Sequence, residues 1–135
     1  MSRKINIIAV VILFSILTVW LIIEASNAPV GDAAKAVRHL QTLGCNVDEN
    51  PSDHVQLDIP LEFDDVYEKY NDLQKQAGYN LWYYRGRRCE RYTFAIINAE
   101  QADTFANVII YKGKIIGGDI MTAALDGVMS PLRAR

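Results

Sequence analysis

Nineteen consecutive residues without a charge, Ile5 to Ile23, constrain this chain more than any other feature. Only Asn6, Ser15 and Thr18 are polar among them. As a helix rising about 1.5 Å per residue, the segment just spans a hydrocarbon core of about 30 Å. A helix suits lipid because it satisfies its own backbone polar groups. As a core helix it would need burial on every side, which a small domain cannot supply. Trp20 falls at interfacial depth. Arg3 and Lys4 precede the segment, whereas Glu24 follows it and the next cation is Lys35. The positive-inside rule then leaves the N-terminus in the cytoplasm and the rest outside.

A cleaved signal peptide is the competing reading. Its apolar region would be shorter, about 7–15 residues, and would end in small residues at a cleavage point. The best such triplet, Ser26-Asn27-Ala28, is followed by Pro29, which suits cleavage poorly. No cysteine closes the stretch, so a lipoprotein anchor is excluded. The expected organisation is a cytoplasmic N-terminus (1–4), a transmembrane helix (5–23), a linker (24–31), an extracytoplasmic domain (32–130) and a C-terminal tail (131–135). The bilayer is thus the one partner this segment names.

The mean hydropathy of +0.02 averages two unlike parts. Without the first 24 residues the remainder is about 46% apolar, an ordinary soluble composition. The net charge of −2 argues against a dedicated nucleic-acid binder. No repeat or low-complexity tract appears.

Periodicity supplies the elements of the domain. Ala33, Ala36, Val37, Leu40 and Leu43 predict a helix over Asp32–Leu43, with Asp32 as cap and Gly44 as stop. Cys45-Asn46-Val47 reads as a short strand. His54–Ile59 alternates, with Val55, Leu57 and Ile59 on one face, and Pro60 ends it. A second helix carries Phe63, Val66, Tyr67, Tyr70, Leu73 and Ala77 as its apolar stripe, with acids in its first turn and Lys75 near its end. Its tyrosines read as core packing with a hydroxyl at the rim. Tyr79–Gly86 is a loop or single turn. Three strands follow: Arg88–Ile97, Thr104–Tyr111 and Lys114–Ile120. Lys112-Gly113 makes the two-residue turn between the last two. Gly117-Gly118 marks a bulge or a close backbone approach. The expected fold is α+β in two layers, an antiparallel sheet with both helices on one face.

Several stretches taken together resemble a known family. They are Phe63–Gln74, Gly78-Tyr79-Asn80-Leu81, Tyr84-Arg85-Gly86, Arg91-Tyr92-Thr93-Phe94, Tyr111–Ile120 and Leu125–Met129. The pattern is similar to domain of unknown function 4830, found mainly in Bacillota. That resemblance implies one N-terminal membrane segment before a small domain. It implies no activity and no catalytic residues.

Candidate chemistry is sparse. Cys45 and Cys89 both fall in the expected extracytoplasmic part, where a disulfide is permitted. Closing their 43-residue separation would add roughly 4 kcal/mol in the chain-entropy model, provided that their Cα atoms lie within about 7 Å. A reduced pair is the other option, and neither histidine is spaced to serve a catalytic thiol. Two isolated histidines make no metal site, and no cofactor is implied. Nine acids and one lysine between Asp48 and Asp72 lack a calcium-loop pattern and read as a solvated face. Gly117-Gly118-Asp119-Ile120 resembles the start of a cyclic-dinucleotide synthase signature, but the match ends after three residues and the following Glu-Phe is missing.

The remaining cluster is aromatic and basic. Trp82 and Tyr84 precede Arg85, Arg87, Arg88 and Arg91, and only Glu90 opposes four arginines over residues 85–91. Such clusters bind nucleic acid by stacking and phosphate contact. Compartment and net charge oppose that use here. The patch would instead meet lipid headgroups, an anionic wall polymer or an acidic protein, or pair internally with the acidic helix. The leading expectation is a non-enzymatic envelope-binding module whose contact surface is this patch. A small envelope hydrolase using Asp119, Asp126 or His54 is the alternative, and requires those side chains to converge in one pocket. A purely structural or regulatory appendage is the third.

Overall fold

Five strands form one antiparallel sheet in chain order: β1 (Asp53–Asp58), β2 (Arg88–Ala95), β3 (Thr104–Tyr111), β4 (Lys114–Thr122) and β5 (Met129–Pro131). The structure is a computed structural model and describes residues 11–19, 31–124 and 126–134. The chain divides into two units, Met1–Val30 and Gly31–Arg135.

In the first unit, residues 11–19 form helix α1, with every side chain exposed. The Ser15 hydroxyl donates to the Ile12 carbonyl at 2.8 Å, and the Thr18 hydroxyl to the Ser15 carbonyl at 2.9 Å. Both hydroxyls are thereby satisfied within the helix. No helix among the described residues is long and apolar enough to cross a membrane. The expected span over 5–23 extends beyond α1 at both ends, outside the described residues.

The second unit holds helix α2 (Asp32–Thr42), helix α3 (Asp65–Gln76) and a 3₁₀ turn at Leu81–Tyr84. It is α+β as expected, but its layering differs. Alternation along a strand sends neighbouring side chains to opposite faces. Tyr92, Phe94, Ala106, Val108, Ile110 and Ile120 share one face and pack with Ala36, Val37 and Leu40 of α2. Cys89, Ile109 and Ile116 lie on the other face, with Leu81 and the tyrosines of α3. The helices therefore cover opposite faces and the unit has three layers. The physical reason lies in β3 and β4, which are buried on consecutive residues. A strand covered on both faces has no polar side to alternate with.

Local expectations fare unevenly. Gly31, not Asp32, caps α2, and Asp32 is the first helical residue, 3.8 Å from Lys35. Gly44 follows α2 with φ 84°, the left-handed conformation of a helix stop. Cys45–Val47 is no strand; Val47 forms one isolated bridge with Ile96. Asp64 caps α3 by accepting the Tyr67 amide at 2.8 Å. The buried face of α3 is rotated from the expected stripe. Asn71 and Gln74 are buried, whereas Val66 is 75% exposed. Lys112 and Gly113 both have positive φ, as a two-residue hairpin turn requires. The register slips by one residue between Ile109 and Ile110, opposite the stretch containing Gly117. A Cβ on Gly118 would overlap the Asn107 carbonyl oxygen. Bulge and close approach are both present.

Pro131 and Leu132 are not part of a tail. Met129–Pro131 adds β5 beside β4, and Leu132 is 2% exposed in the α2-side core. Three residues were too short a run for periodicity to reveal, yet they form the outermost strand beside β4.

Candidate functional site

The aromatic–arginine cluster is assembled by a relay of side-chain amides. Buried Asn71 of α3 accepts the Leu81 amide at 2.7 Å and donates to Asn80 Oδ1 at 3.0 Å. Asn80 Oδ1 in turn accepts the Trp82 amide at 3.1 Å, capping the 3₁₀ turn. Trp82 then stands between two groups. The ring of Phe63 meets it edge-on at 5.4 Å. The Arg85 guanidinium carbon lies 3.6 Å from the Trp82 ring centroid, and Arg85 Nε donates to the Trp82 carbonyl at 3.0 Å. Trp82 stays 41% exposed. Tyr84 turns inward instead and packs against Tyr111.

The four arginines do not form one patch. Arg88 pairs with Asp58 at 2.9 Å, and Arg91 with Asp53 at 3.4 Å. The acids come from the neighbouring strand β1, not from the acidic helix. Arg88 sits directly opposite Asp58 in the β1–β2 register. Arg91 lies three residues further along β2, so its side chain leaves by the other face of the sheet. Arg85 and Arg87 pair with no carboxylate among the described residues. The net positive surface is thus smaller than the sequence suggests: Arg85 stacked on Trp82, with exposed Arg87 close by in the chain.

The candidate disulfide is not formed. Cys45 packs on the α2 side of the sheet and Cys89 on the α3 side, so the sheet itself separates them. Cys89 Sγ is 3.7 Å from the Arg87 carbonyl oxygen. Burial, aided by Asp58, holds its thiol above the ordinary pKa, away from thiolate reactivity.

The hydrolase constellation does not converge. Asp119 is 2% exposed beneath α3. His54 stacks on Tyr92, a residue of the α2-side core, with ring centroids 4.1 Å apart. Asp126 is exposed after β4. Among the described residues no group of three or more His, Cys, Asp or Glu side chains is placed to hold a metal ion.

Beneath α3 lies a polar seam that sequence reasoning missed. Asp119 Oδ1 accepts from the Tyr70 hydroxyl at 2.8 Å, and Asp119 Oδ2 from Asn107 Nδ2 at 3.0 Å. Asn107 Oδ1 accepts from the Thr93 hydroxyl at 2.6 Å. Gln74 Oε1 accepts the Gly118 amide at 2.8 Å. Burial raises the Asp119 pKa against the lowering effect of its two donors and of Arg91. The same burial, with Asp119 nearby, drives the Tyr70 hydroxyl far above the usual phenol range. Tyr67 is pushed up to about 12, chiefly by burial. The seam holds a carboxylate with one donor on each oxygen. Its signal in the sequence was Asn107 and Asp119, polar residues inside otherwise apolar strands.

No curated protein and no solved structure matches the chain. A family model does, over residues 40–120, from within α2 to within β4 and including the polar seam, Trp82 and all four arginines. The chain belongs to the family described as Domain of unknown function (DUF4830).

Proposed function

We propose that this chain is a membrane-anchored, extracytoplasmic binding module. Residues 5–23 would hold it in the bilayer with the N-terminus in the cytoplasm, and the surface around Trp82, Arg85 and Arg87 would contact an acidic protein or envelope polymer. The observation that carries the binding reading is the Trp82–Arg85 stack. An exposed indole is held in place by Phe63 and by the Asn71–Asn80 relay, with a guanidinium over its face that no carboxylate among the described residues neutralises. Ordered, partly exposed Trp and Arg are the residue types that dominate binding energies at interfaces. Internal pairing accounts for Arg88 and Arg91, so these two support the sheet rather than the contact. The anchor reading is supported by the uncharged run and its flanking charges.

Two measurements test the proposal. Alkaline carbonate washing should leave the full chain with the membranes, and external protease should reach the domain in intact protoplasts. Release by carbonate, or protection from protease, would refute the placement. For the surface, site-specific crosslinking from position 83 in membranes should yield a discrete adduct. The Arg85→Glu/Arg87→Glu variant should abolish that adduct, while Arg88→Glu should not. An adduct that survives reversal of both arginines would remove the patch from the contact.

A further inference from the structure

We propose that the part of the α3-side sheet face left open by α3 is a binding site for a neutral carbohydrate ring. It is distinct from the Trp82 surface and does not depend on it. Helix α3 crosses this face over β4 and β5, with Tyr70 above Asp119 and Gln74 above Gly118. Beyond it, Arg91, Thr93, Phe105, Asn107 and Met121 leave a concave groove of about 470 Å³, with Asp53 at its rim. That volume lies within the roughly 300–1,000 Å³ range of small-molecule sites.

The chemistry of the groove selects the ligand. Arg91 and Asp53 stand 3.4 Å apart at the rim, a balanced pair, so neither a free anion nor a free cation meets an unopposed field there. Both Asp119 oxygens are already taken by Tyr70 and Asn107. Both side chains are open to an incoming hydroxyl, Arg91 being 37% and Asp53 53% exposed. Adjacent hydroxyls answer this arrangement: one donates to Asp53 while its neighbour accepts from Arg91. Phe105 and Met121 supply an apolar surface for the C–H face of the ring. A hydroxyl pair flanking an apolar face is the signature of a pyranose.

An extended peptide fits less well. Backbone groups of β2, β3 and β4 are committed to their ladders, so a strand laid across this face finds no main-chain partners. Peptide addition would belong at the open edge of β1 instead.

The test uses the purified full chain in micelles of a detergent without a sugar headgroup. Backbone amide NMR shifts are followed during titration with chitotriose, maltotriose and xylotriose, with trialanine as the peptide probe. Saturable shifts centred on Thr93, Phe105 and Asn107 with at least one trisaccharide are expected. Asp53→Asn, an exposed position whose loss should leave the fold intact, should weaken binding about tenfold, equal to one hydrogen bond of about 1.4 kcal/mol. Phe105→Ala should weaken it similarly, with its amide spectrum reporting whether the fold survives. The proposal is overturned if no trisaccharide gives saturable shifts, if trialanine alone occupies the groove, if shifts centre on Trp82 instead, or if Asp53→Asn binds like the parent.

Discussion

Replacing Tyr70 with phenylalanine deletes one oxygen atom and leaves a buried carboxylate short of a donor. Asp119 is 2% exposed, so water does not replace the lost 2.8 Å hydrogen bond. A hydrogen bond to a charged group of this kind contributes about 1.5–3 kcal/mol. In a unit of about 105 residues, roughly 4 °C of melting temperature accompanies each kcal/mol, so the variant should melt about 6–12 °C lower. The deficit should also depend on pH. Burial already raises the Asp119 pKa in the folded state above the ordinary 3.8, and the Tyr70 hydrogen bond opposes that rise. Without the hydroxyl the folded pKa climbs further. The native state then holds its proton to higher pH than the unfolded chain, and stability falls as pH rises through that window. Urea unfolding followed by circular dichroism should show the larger deficit at alkaline pH, with Asp119 ionised, and a smaller one at acid pH, with Asp119 protonated. The same substitution in an Asp119→Asn background should cost less, since the charge that needed the donor is gone. A deficit below about 0.5 kcal/mol, or one that does not vary with pH, would refute this account of the seam.

Other outcomes follow from single positions. Gly118→Ala should fail to fold or melt far below the parent, because its Cβ overlaps the Asn107 carbonyl; an unchanged melting curve would contradict the observed approach of β3 to β4. Leu132→Ala should cost about 2–4 kcal/mol in urea unfolding, as a fully buried leucine does, whereas a true tail residue would cost nothing. Asp58→Asn should leave the melting temperature unchanged at physiological salt, since its pair with Arg88 is exposed; a clear loss would mean that the pair does more than decorate the surface. The native protein should resist a thiol reagent and take up two equivalents once unfolded; fast native labelling would contradict the burial of Cys45 and Cys89.

Much of the fold was legible because its signals are local. The alternation at Val55, Leu57 and Ile59, the Lys112-Gly113 turn and the Gly44 stop each depend on a few adjacent residues, and each is where it was expected. What failed depends on distant partners. The rotation of α3 that buries Asn71 and Gln74 and exposes Val66 runs against its own hydrophobic stripe. It follows from polar partners on other elements, Leu81, Asn80 and Gly118. The candidate contact surface was half legible. Adjacency in sequence grouped four arginines, but β1 neutralises two of them.

By itself, then, the sequence determined the long uncharged segment, the order and type of the main elements, and the two-residue hairpin. Periodicity and backbone conformational limits act within a window of a few residues, so no tertiary knowledge was needed. Only the tertiary structure decided that α2 and α3 cover opposite faces, that Cys45 and Cys89 are kept apart by the sheet, and that Leu132 belongs to the core. It alone joined Tyr70 to Asp119 across 49 positions and Arg91 to Asp53 across 38. Such pairings are selected by which buried groups can satisfy one another once the layers close, and that choice is made by packing in three dimensions.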